Sequence, residues 1–195
     1  MDSLMNNDSG STVADLHTKR YYRNHGGFLW VDRHGIDHRA DTLLTYLQKV
    51  DEMGFKTKHF YVNQITQDLE RLHSLNLGDG NEDINHVMAR LEYRLTKSYL
   101  RYVGGQRFGF VNPSFVLNRL DSIAPNPYDS IKRAVRYRGL FDVKMQHASD
   151  AFFHLALQQL RSKVDVDGEE TEKSRLAAFL KDVQPKSPFY YTLQE

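Results

Sequence analysis

The chain carries a long helical pattern at residues 82–105, EDINHVMARLEYRLTKSYLRYVGG. Apolar side chains recur there every three or four positions, which is the spacing of one face of an α-helix. They are Ile84, Val87, Met88, Leu91, Leu95, Tyr99 and Leu100. Because other elements must cover such a stripe, we predict the central helix of the fold here, ending at the Gly104–Gly105 pair or slightly beyond it.

Two helices are predicted ahead of the central helix, near the start of the chain. Residues 11–24 begin with a Ser or Thr cap and end before the Gly26–Gly27 pair. Residues 40–50 have apolar side chains at helical spacing, with Asp37 as the cap and Gly54 as the stop.

A short extended stretch and a third helix complete the first half. Phe28–Val31 are consecutive apolar residues, followed by the polar turn Asp32–Gly35. Trp30 is the only tryptophan and is expected to anchor the core. The apolar face of the third helix consists of Phe60, Ile65, Leu69 and Leu72. That helix is expected to end before a loop at residues 76–81.

The remainder of the chain is broken more often. Pro113 suits the first turn of a short helix, and APNP at residues 124–127 interrupts the pattern again. Further helical segments are predicted near residues 128–137, 149–163 and 171–182.

The pattern as a whole predicts an all-α fold. We expect an irregular multi-helix bundle or array with a short extended stretch around Trp30, because no segment alternates long enough to build a sheet. Residues 1–10 are polar and predict a flexible leader. Residues 11–195 are expected to form the helical domain, divisible at the internal loop into sub-lobes 11–80 and 81–195.

Composition excludes several classes of chemistry. The 195 residues include 26 Lys and Arg against 25 Asp and Glu, so the net charge of +1 gives no overall field that favours nucleic acid. The absence of cysteine excludes disulfides, Cys-ligated zinc and thiol mechanisms. No apolar run approaches the roughly 18 residues of a membrane span, and the first residues lack the features of a secretory signal.

Histidine and acidic motifs have simpler explanations than metal binding. His34 and His38 have the spacing of a metal pair, but a helix cap and a glycine turn explain their surroundings better. His147 and His154, seven positions apart with Asp150 between them, are no better supported as metal ligands. DVDG at residues 165–168 lacks the distal ligands of a calcium loop, and no phosphate loop or dinucleotide motif occurs. We therefore expect no catalytic residue, no metal and no cofactor.

Cations and aromatic rings interleave on the central helix and just after it. They are Arg94, Lys97, Arg101 and Arg107 with Tyr93, Tyr99, Tyr102 and Phe108. A groove for a polyanion or a sugar uses this combination. A half-buried helix has it too, because arginine stems cover apolar surface while their charged ends stay wet. The second interpretation is favoured, and the first stays open.

Three segments, taken in order, resemble the helical scaffold domain of large bacterial L,D-transpeptidases. Residues 27–60 are similar to the family's W-x-D, glycine turn and leucine-rich helix, although GFKTKHFY departs from its G-L-D-P step. LEYRLTKSYLRYVGGQRFGFVNP at residues 91–113 is similar to its L-x-x-L-L-T-x-A-x-L-R-Y helix and R-x-G-x-x-x-P turn. The end of the chain, with Pro185, Pro188, Tyr190 and Leu193, resembles its P-x-x-P-x-Y-x-x-L segment.

The resemblance implies a non-catalytic scaffold for an enzyme that cross-links peptidoglycan during cell wall biogenesis. It implies a catalytic domain with a nucleophilic cysteine as partner, peptidoglycan as a second candidate partner, and a periplasmic or cell-envelope location. This chain has no cysteine to supply the nucleophile. The candidate binding or structural residues are Trp30, Tyr99, Arg101, Tyr102, Arg107, Phe110 and Tyr190.

A second function remains open. The same helices could form an interaction module that binds a protein or a polyanion unrelated to the cell wall. The basic and aromatic surface of the central helix would then bind its partner in a salt-sensitive way.

Overall fold

The computed structural model describes residues 1–10, 12–24, 26–74, 83–109, 143–161 and 168–185. The α-helices of these residues are α1 (Asp2–Asn7), α2 (Val13–Arg23), α3 (Arg39–Leu47), α4 (Val62–His73), α5 (Ile84–Phe108), α6 (Val143–Arg161) and α7 (Gly168–Asp182). Strands β1 (Val31–Asp32) and β2 (Gly35–Ile36) form an antiparallel pair. Two 3₁₀ helices span Val50–Met53 and Thr57–Phe60. The predicted all-α class is confirmed.

Helix α5 is the central helix, as predicted, and continues past the Gly104–Gly105 pair. Helices α2, α3, α4 and α6 pack on it, and α7 packs on α3. The fully buried side chains include Leu43, Leu47, Ile65, Leu91, Leu95, Leu100, Leu160 and Leu180. Described residues from both sides of the internal loop thus contribute to one hydrophobic cluster, and the division into sub-lobes 11–80 and 81–195 stays a prediction.

Helix α2 begins where its sequence predicts. Thr12 Oγ1 accepts a 3.2 Å hydrogen bond from Asp15 N, and Asp15 Oδ2 accepts a 3.1 Å bond from Thr12 N. This reciprocal pair is a capping box, which satisfies backbone N–H groups that the first turn leaves without partners. The helix ends at Arg23, with Asn24 as its C-cap, ahead of the glycines.

Helix α3 ends earlier than predicted. It stops at Leu47, and a 3₁₀ turn over Val50–Met53 takes over. This turn keeps Val50 buried and ends at Gly54, whose φ of 83° is left-handed and therefore suits glycine. Asp37 contributes at the start of α3, where its Oδ1 accepts a 2.8 Å hydrogen bond from Arg39 N.

The first ten residues differ from the expected leader. Residues 2–7 form helix α1, and Met5 is only 5% exposed. Met1, Leu4 and Met5 have the spacing of one helical face, a short apolar signal that the polar residues around it conceal.

The C-terminal helices begin earlier than predicted, at Val143 for α6 and Gly168 for α7. The predicted loop at 76–81 and the segments expected between residues 113 and 137 lie outside the described residues. Among the helices that the structure describes, none is long and apolar enough to cross a membrane.

Candidate functional site

Three candidate aromatic residues lie in the core. Trp30, Tyr99 and Tyr102 have no exposed surface, so the expected core role of Trp30 is confirmed. The rings of Trp30 and Tyr99 meet edge to face, with centroids 6.0 Å apart. Tyr99 Oη donates a 3.0 Å hydrogen bond to Ala156 O, and Tyr102 Oη accepts one from Gln184 Nε2. Being buried, these rings offer no surface for stacking on a ligand.

The other four candidates have different surroundings. Arg101 is half-buried, whereas Arg107 is exposed near the end of α5. Phe110 and Tyr190 lie outside the described residues, so any binding role for them stays a prediction. The described candidates therefore lie on α5 or pack against it, but they do not form one exposed surface.

A carboxylate that the sequence analysis did not single out joins two segments of the chain. Glu92, on α5, has no exposed surface. Its Oε1 accepts hydrogen bonds from Tyr22 Oη at 2.5 Å and from Leu29 N at 2.7 Å. Its Oε2 accepts from Trp30 N at 2.9 Å and from Val31 N at 3.1 Å. Burial raises the pKa of the Glu92 carboxyl, although these four donors oppose the shift.

Thr96 extends this contact by one helical turn. Its Oγ1 accepts a 3.0 Å hydrogen bond from Trp30 Nε1 and lies 2.7 Å from Tyr22 Oη. A buried indole N–H needs an acceptor, and Thr96 supplies it. Together, Glu92 and Thr96 attach the extended stretch around Trp30 to the central helix.

Arg101 faces helix α2 rather than solvent. Its Nε and Nη2 donate to the two carboxylate oxygens of Asp15 at 2.7 and 3.0 Å, the bidentate geometry of a strong ion pair. Its guanidinium lies 5.3 Å from the centre of the Tyr61 ring. Burial raises the pKa of Asp15, but the hydrogen bonds and charge of Arg101 lower it more.

Lys97 is also turned inward. It is 2% exposed, and its Nζ lies 2.6 Å from Asp8 Oδ1 and 3.8 Å from Asp15 Oδ1. Lys97 Nζ also lies 5.3 Å from the centre of the Tyr61 ring, which Arg101 contacts as well. Tyr61 has a φ of 55°, which is uncommon for a bulky residue and is held here by its surroundings.

Arg94, a third cation of this stretch, pairs with a carboxylate on α4. Asp68 is 2% exposed and accepts hydrogen bonds from Arg90 at 2.6 and 2.9 Å and from Arg94 at 2.9 Å. Arg71 Nη1 lies 3.7 Å from the same carboxylate. Burial, together with the like charge of Arg90, lowers the pKa of Arg94.

This face of α5 is therefore an internal interface, as the favoured interpretation of a half-buried helix predicts, rather than an open groove. Arg94, Lys97 and Arg101 each pair with a carboxylate on another element, and the tyrosines between them are buried. Because these three cations are already paired, a polyanion could bind them only by displacing their carboxylates. The sequence could not reveal this, since the paired carboxylates lie far away along the chain.

Arg39 provides a second junction that sequence analysis missed. It is 2% exposed, and its Nε donates to Asp37 Oδ2 at 2.8 Å. Its Nη1 and Nη2 donate to Leu160 O at 2.8 Å and to Leu29 O at 3.0 Å. Its guanidinium lies 5.9 Å from the centre of the Trp30 ring. Arg39 thus joins α3, α6 and the extended stretch.

Three of the described histidines have contacts near their own helix or turn, or with a neighbouring helix. His34 Nε2 accepts a 3.1 Å hydrogen bond from Arg33, and His38 is the N-cap of α3. His17 Nε2 lies 2.8 Å from Asp150 Oδ1, and burial lowers the pKa of this histidine. Within the described residues, no group of three or more His, Cys, Asp or Glu could hold a metal ion.

The sequence gives only a weak signal of two buried charges. Glu92 and Lys97 lie among the apolar residues of α5, but an amphipathic helix also carries charges on its exposed face, so this position alone does not place them inside. Asp8 and Asp15 carry no comparable signal, because each is an ordinary cap or turn residue until its partner is known.

Comparison with known proteins gives a family and no closer relative. No curated protein and no solved structure matches the chain. The scaffold domain family matches residues 16–137, which include most of α2, all of α3 to α5 and both segments that Glu92 joins. Because this match covers more than half of the chain, the protein belongs to the scaffold domain family.

Proposed function

We propose that this chain is the non-catalytic scaffold portion of an L,D-transpeptidase involved in peptidoglycan cross-linking and cell wall biogenesis. It would hold a separate catalytic domain at a fixed orientation to its substrate, in the periplasm or elsewhere in the cell envelope. The contact between the two internal segments that resemble that enzyme family is the observation that carries the proposal.

Those segments meet at a buried junction. Glu92 of the second segment accepts the backbone N–H groups of Leu29, Trp30 and Val31 of the first. A buried carboxylate with four donors is costly to disturb, so the junction is rigid. The similarity to the enzyme's scaffold therefore falls on parts that are coupled in space as well as ordered along the chain.

The reactive group must come from another polypeptide segment. The sequence contains no cysteine, whereas the resemblance implies a cysteine nucleophile. Rigid packing is what a scaffold contributes to such a reaction, because small errors in the position of reacting groups reduce the rate strongly.

Reconstitution tests the proposal. The chain is mixed with the catalytic domain of an L,D-transpeptidase from the same genome, and binding and the formation of cross-linked muropeptides are measured. We expect no cross-links from the chain alone, binding to the catalytic domain, and faster cross-linking by the mixture than by the catalytic domain alone. A catalytic domain without its cysteine should bind the chain yet form no product.

Absence of both binding and rate enhancement would remove the enzyme-linked function. Salt-sensitive binding to heparin without binding to the catalytic domain would instead support the interaction module. Retention of the chain on purified sacculi tests peptidoglycan as the second partner. Arg107→Ala tests whether this exposed cation of α5 contributes to the retention.

A further inference from the structure

Residues 1–10 form a strap that packs on α2 and α5 outside the main core. Met5 is 5% exposed and belongs to a small separate cluster with Tyr22 and Tyr93. The main hydrophobic cluster contains no residue of the strap. The strap is therefore held by a few local contacts, and its attachment can be separated from folding of the core.

One of these contacts involves the aspartate Asp8. Three donors surround it, Lys19, Tyr93 and Lys97, and we call this set the carboxylate cradle. Asp8 Oδ1 lies 2.6 Å from Lys97 Nζ, and Asp8 Oδ2 accepts a 2.7 Å hydrogen bond from Tyr93 Oη. Lys19 Nζ donates to Asp8 O at 2.7 Å. The cradle thus holds the side chain and the backbone of one aspartate.

The residue two positions after the aspartate is recognised as well. Gly10 N donates a 2.8 Å hydrogen bond to Asp8 Oδ1, and Gly10 O accepts a 2.9 Å bond from Lys19 Nζ. A Cβ on Gly10 would lie only 2.6 Å from both Lys97 Nζ and Asp15 Oδ2. Glycine is therefore favoured at the third position, because a side chain there would require Lys97 Nζ and Asp15 Oδ2 to move out of their present contacts.

The cradle needs a carboxylate to balance its charge. Lys97 is 2% exposed, so its ammonium group has little access to water. The next carboxylate, on Asp15, lies 3.8 Å away and already forms a bidentate pair with Arg101. Without Asp8, the buried cation would lose its closest partner.

We propose that the cradle is a binding site for an Asp-x-Gly segment, occupied here by residues 8–10 of the same chain and able to take that sequence from a separate peptide. The ligand class is a short acidic peptide whose aspartate enters between Lys97 and Tyr93. The site does not depend on the catalytic partner proposed above, and its test is independent of it.

The first experiment measures release of the strap in the full chain. Acetylation of Lys97 by an amine-reactive ester is followed by mass spectrometry. We expect Asp8→Asn and Gly10→Ala to accelerate this labelling by about tenfold or more, the factor that loss of a hydrogen bond to a charged group produces. Asp2→Asn is the matched control, since it changes the same charge at an exposed position of the same strap.

Hydrogen exchange in α3 and α7 shows whether release is local. We expect exchange in these core helices to remain unchanged in the Asp8→Asn chain. Unchanged labelling of Lys97, or opening of α3 and α7 together with the strap, would overturn the proposal.

The second experiment supplies the ligand separately. A Met5→Ala/Asp8→Asn chain, whose strap has lost its apolar and its charged contact, is mixed with a synthetic peptide of residues 1–10. We expect this peptide to protect Lys97 from acetylation, and the same peptide with Asp8→Asn to protect it at least about tenfold less well. No protection by the native peptide, or equal protection by both, would overturn the proposal.

Discussion

At the scale of single residues, each buried charge in the described part of the chain has at least one hydrogen-bond partner. Within the described residues, no buried side-chain nitrogen or oxygen lacks a hydrogen bond. Glu92, Asp15 and Lys97 are all 2% exposed or less. Removing one partner of a buried charge costs more than the pair contributes, because the other partner stays buried without compensation. Substitutions at these positions should therefore have large effects.

Glu92→Gln tests the junction at the extended stretch. The amide NH₂ of glutamine would face backbone N–H donors that now bond to a carboxylate oxygen. We expect the free energy of unfolding to fall by about 2–4 kcal/mol, measured by urea denaturation. Glu70→Gln, at an exposed position of α4, should change it by less than about 0.5 kcal/mol. Equal effects at the two positions would contradict this role of Glu92.

Acidification should loosen the strap through Asp8. Burial raises the pKa of this carboxyl, but the hydrogen bond and charge of Lys97 lower it from 3.8 to about 2. A carboxyl whose pKa is lower in the folded state stabilises the fold at any pH above its unfolded pKa. That stabilisation is lost as the pH falls from the unfolded pKa through the folded pKa. We expect the NMR signal of the Met5 methyl group to move toward its unfolded position as the pH falls from 3.8 to about 2, and this movement to be smaller in Asp8→Asn. A movement of the same size in both chains would contradict the assignment.

At the scale of helices, the crossing of α5 and α6 depends on one glycine. A Cβ on Gly104 would lie 2.7 Å from Phe153 Cζ. The Phe153 ring cannot easily move away, since it packs between two other rings. Its centroid lies 4.6 Å from that of His17, on which it stacks, and 5.8 Å from that of Phe152. Close approach of the two helices therefore requires the residue that is poorest in helix propensity after proline.

Gly104→Ala separates packing from propensity. Alanine favours the helix by about 1 kcal/mol, whereas overpacking of a dense core costs about 1–3 kcal/mol. We expect net destabilisation in thermal and urea unfolding, and partial recovery in Gly104→Ala/Phe153→Leu. Gly27→Ala is the control, because no atom lies within 4 Å of the added Cβ. Stabilisation by Gly104→Ala would contradict this prediction, because it would show that the Phe153 ring can move aside without cost.

At the scale of the whole molecule, the folded unit is longer than the family match. The match ends at residue 137, yet Leu160 of α6 and Leu180 of α7 are fully buried in the same core as α5. Tyr46 Oη of α3 donates a 3.2 Å hydrogen bond to Ala177 O of α7. Helices α6 and α7 thus complete the core that α3 and α5 begin.

Truncation tests this completion. A chain of residues 1–142 lacks α6 and α7 and leaves apolar faces of α3 and α5 in water. We expect it to show no cooperative thermal transition by circular dichroism, because burying each lost leucine stabilises the fold by about 1.5–3 kcal/mol. A chain of residues 1–185 should keep its transition. Cooperative unfolding of the shorter chain would show that the matched region folds alone.

Sequence by itself determined the helical class, the central helix and the burial of Trp30. These follow from periodicity and local chemistry: the stripe of α5 repeats at the helical period, and Thr12 and Asp15 form a cap within one turn. Only the tertiary structure decided which charges are internal. Lys97, Arg101 and Glu92 resemble surface residues until Asp8, Asp15 and the backbone around Trp30 are brought against them. The physical reason is that local spacing sets secondary structure, whereas the burial of a charge depends on partners many residues away.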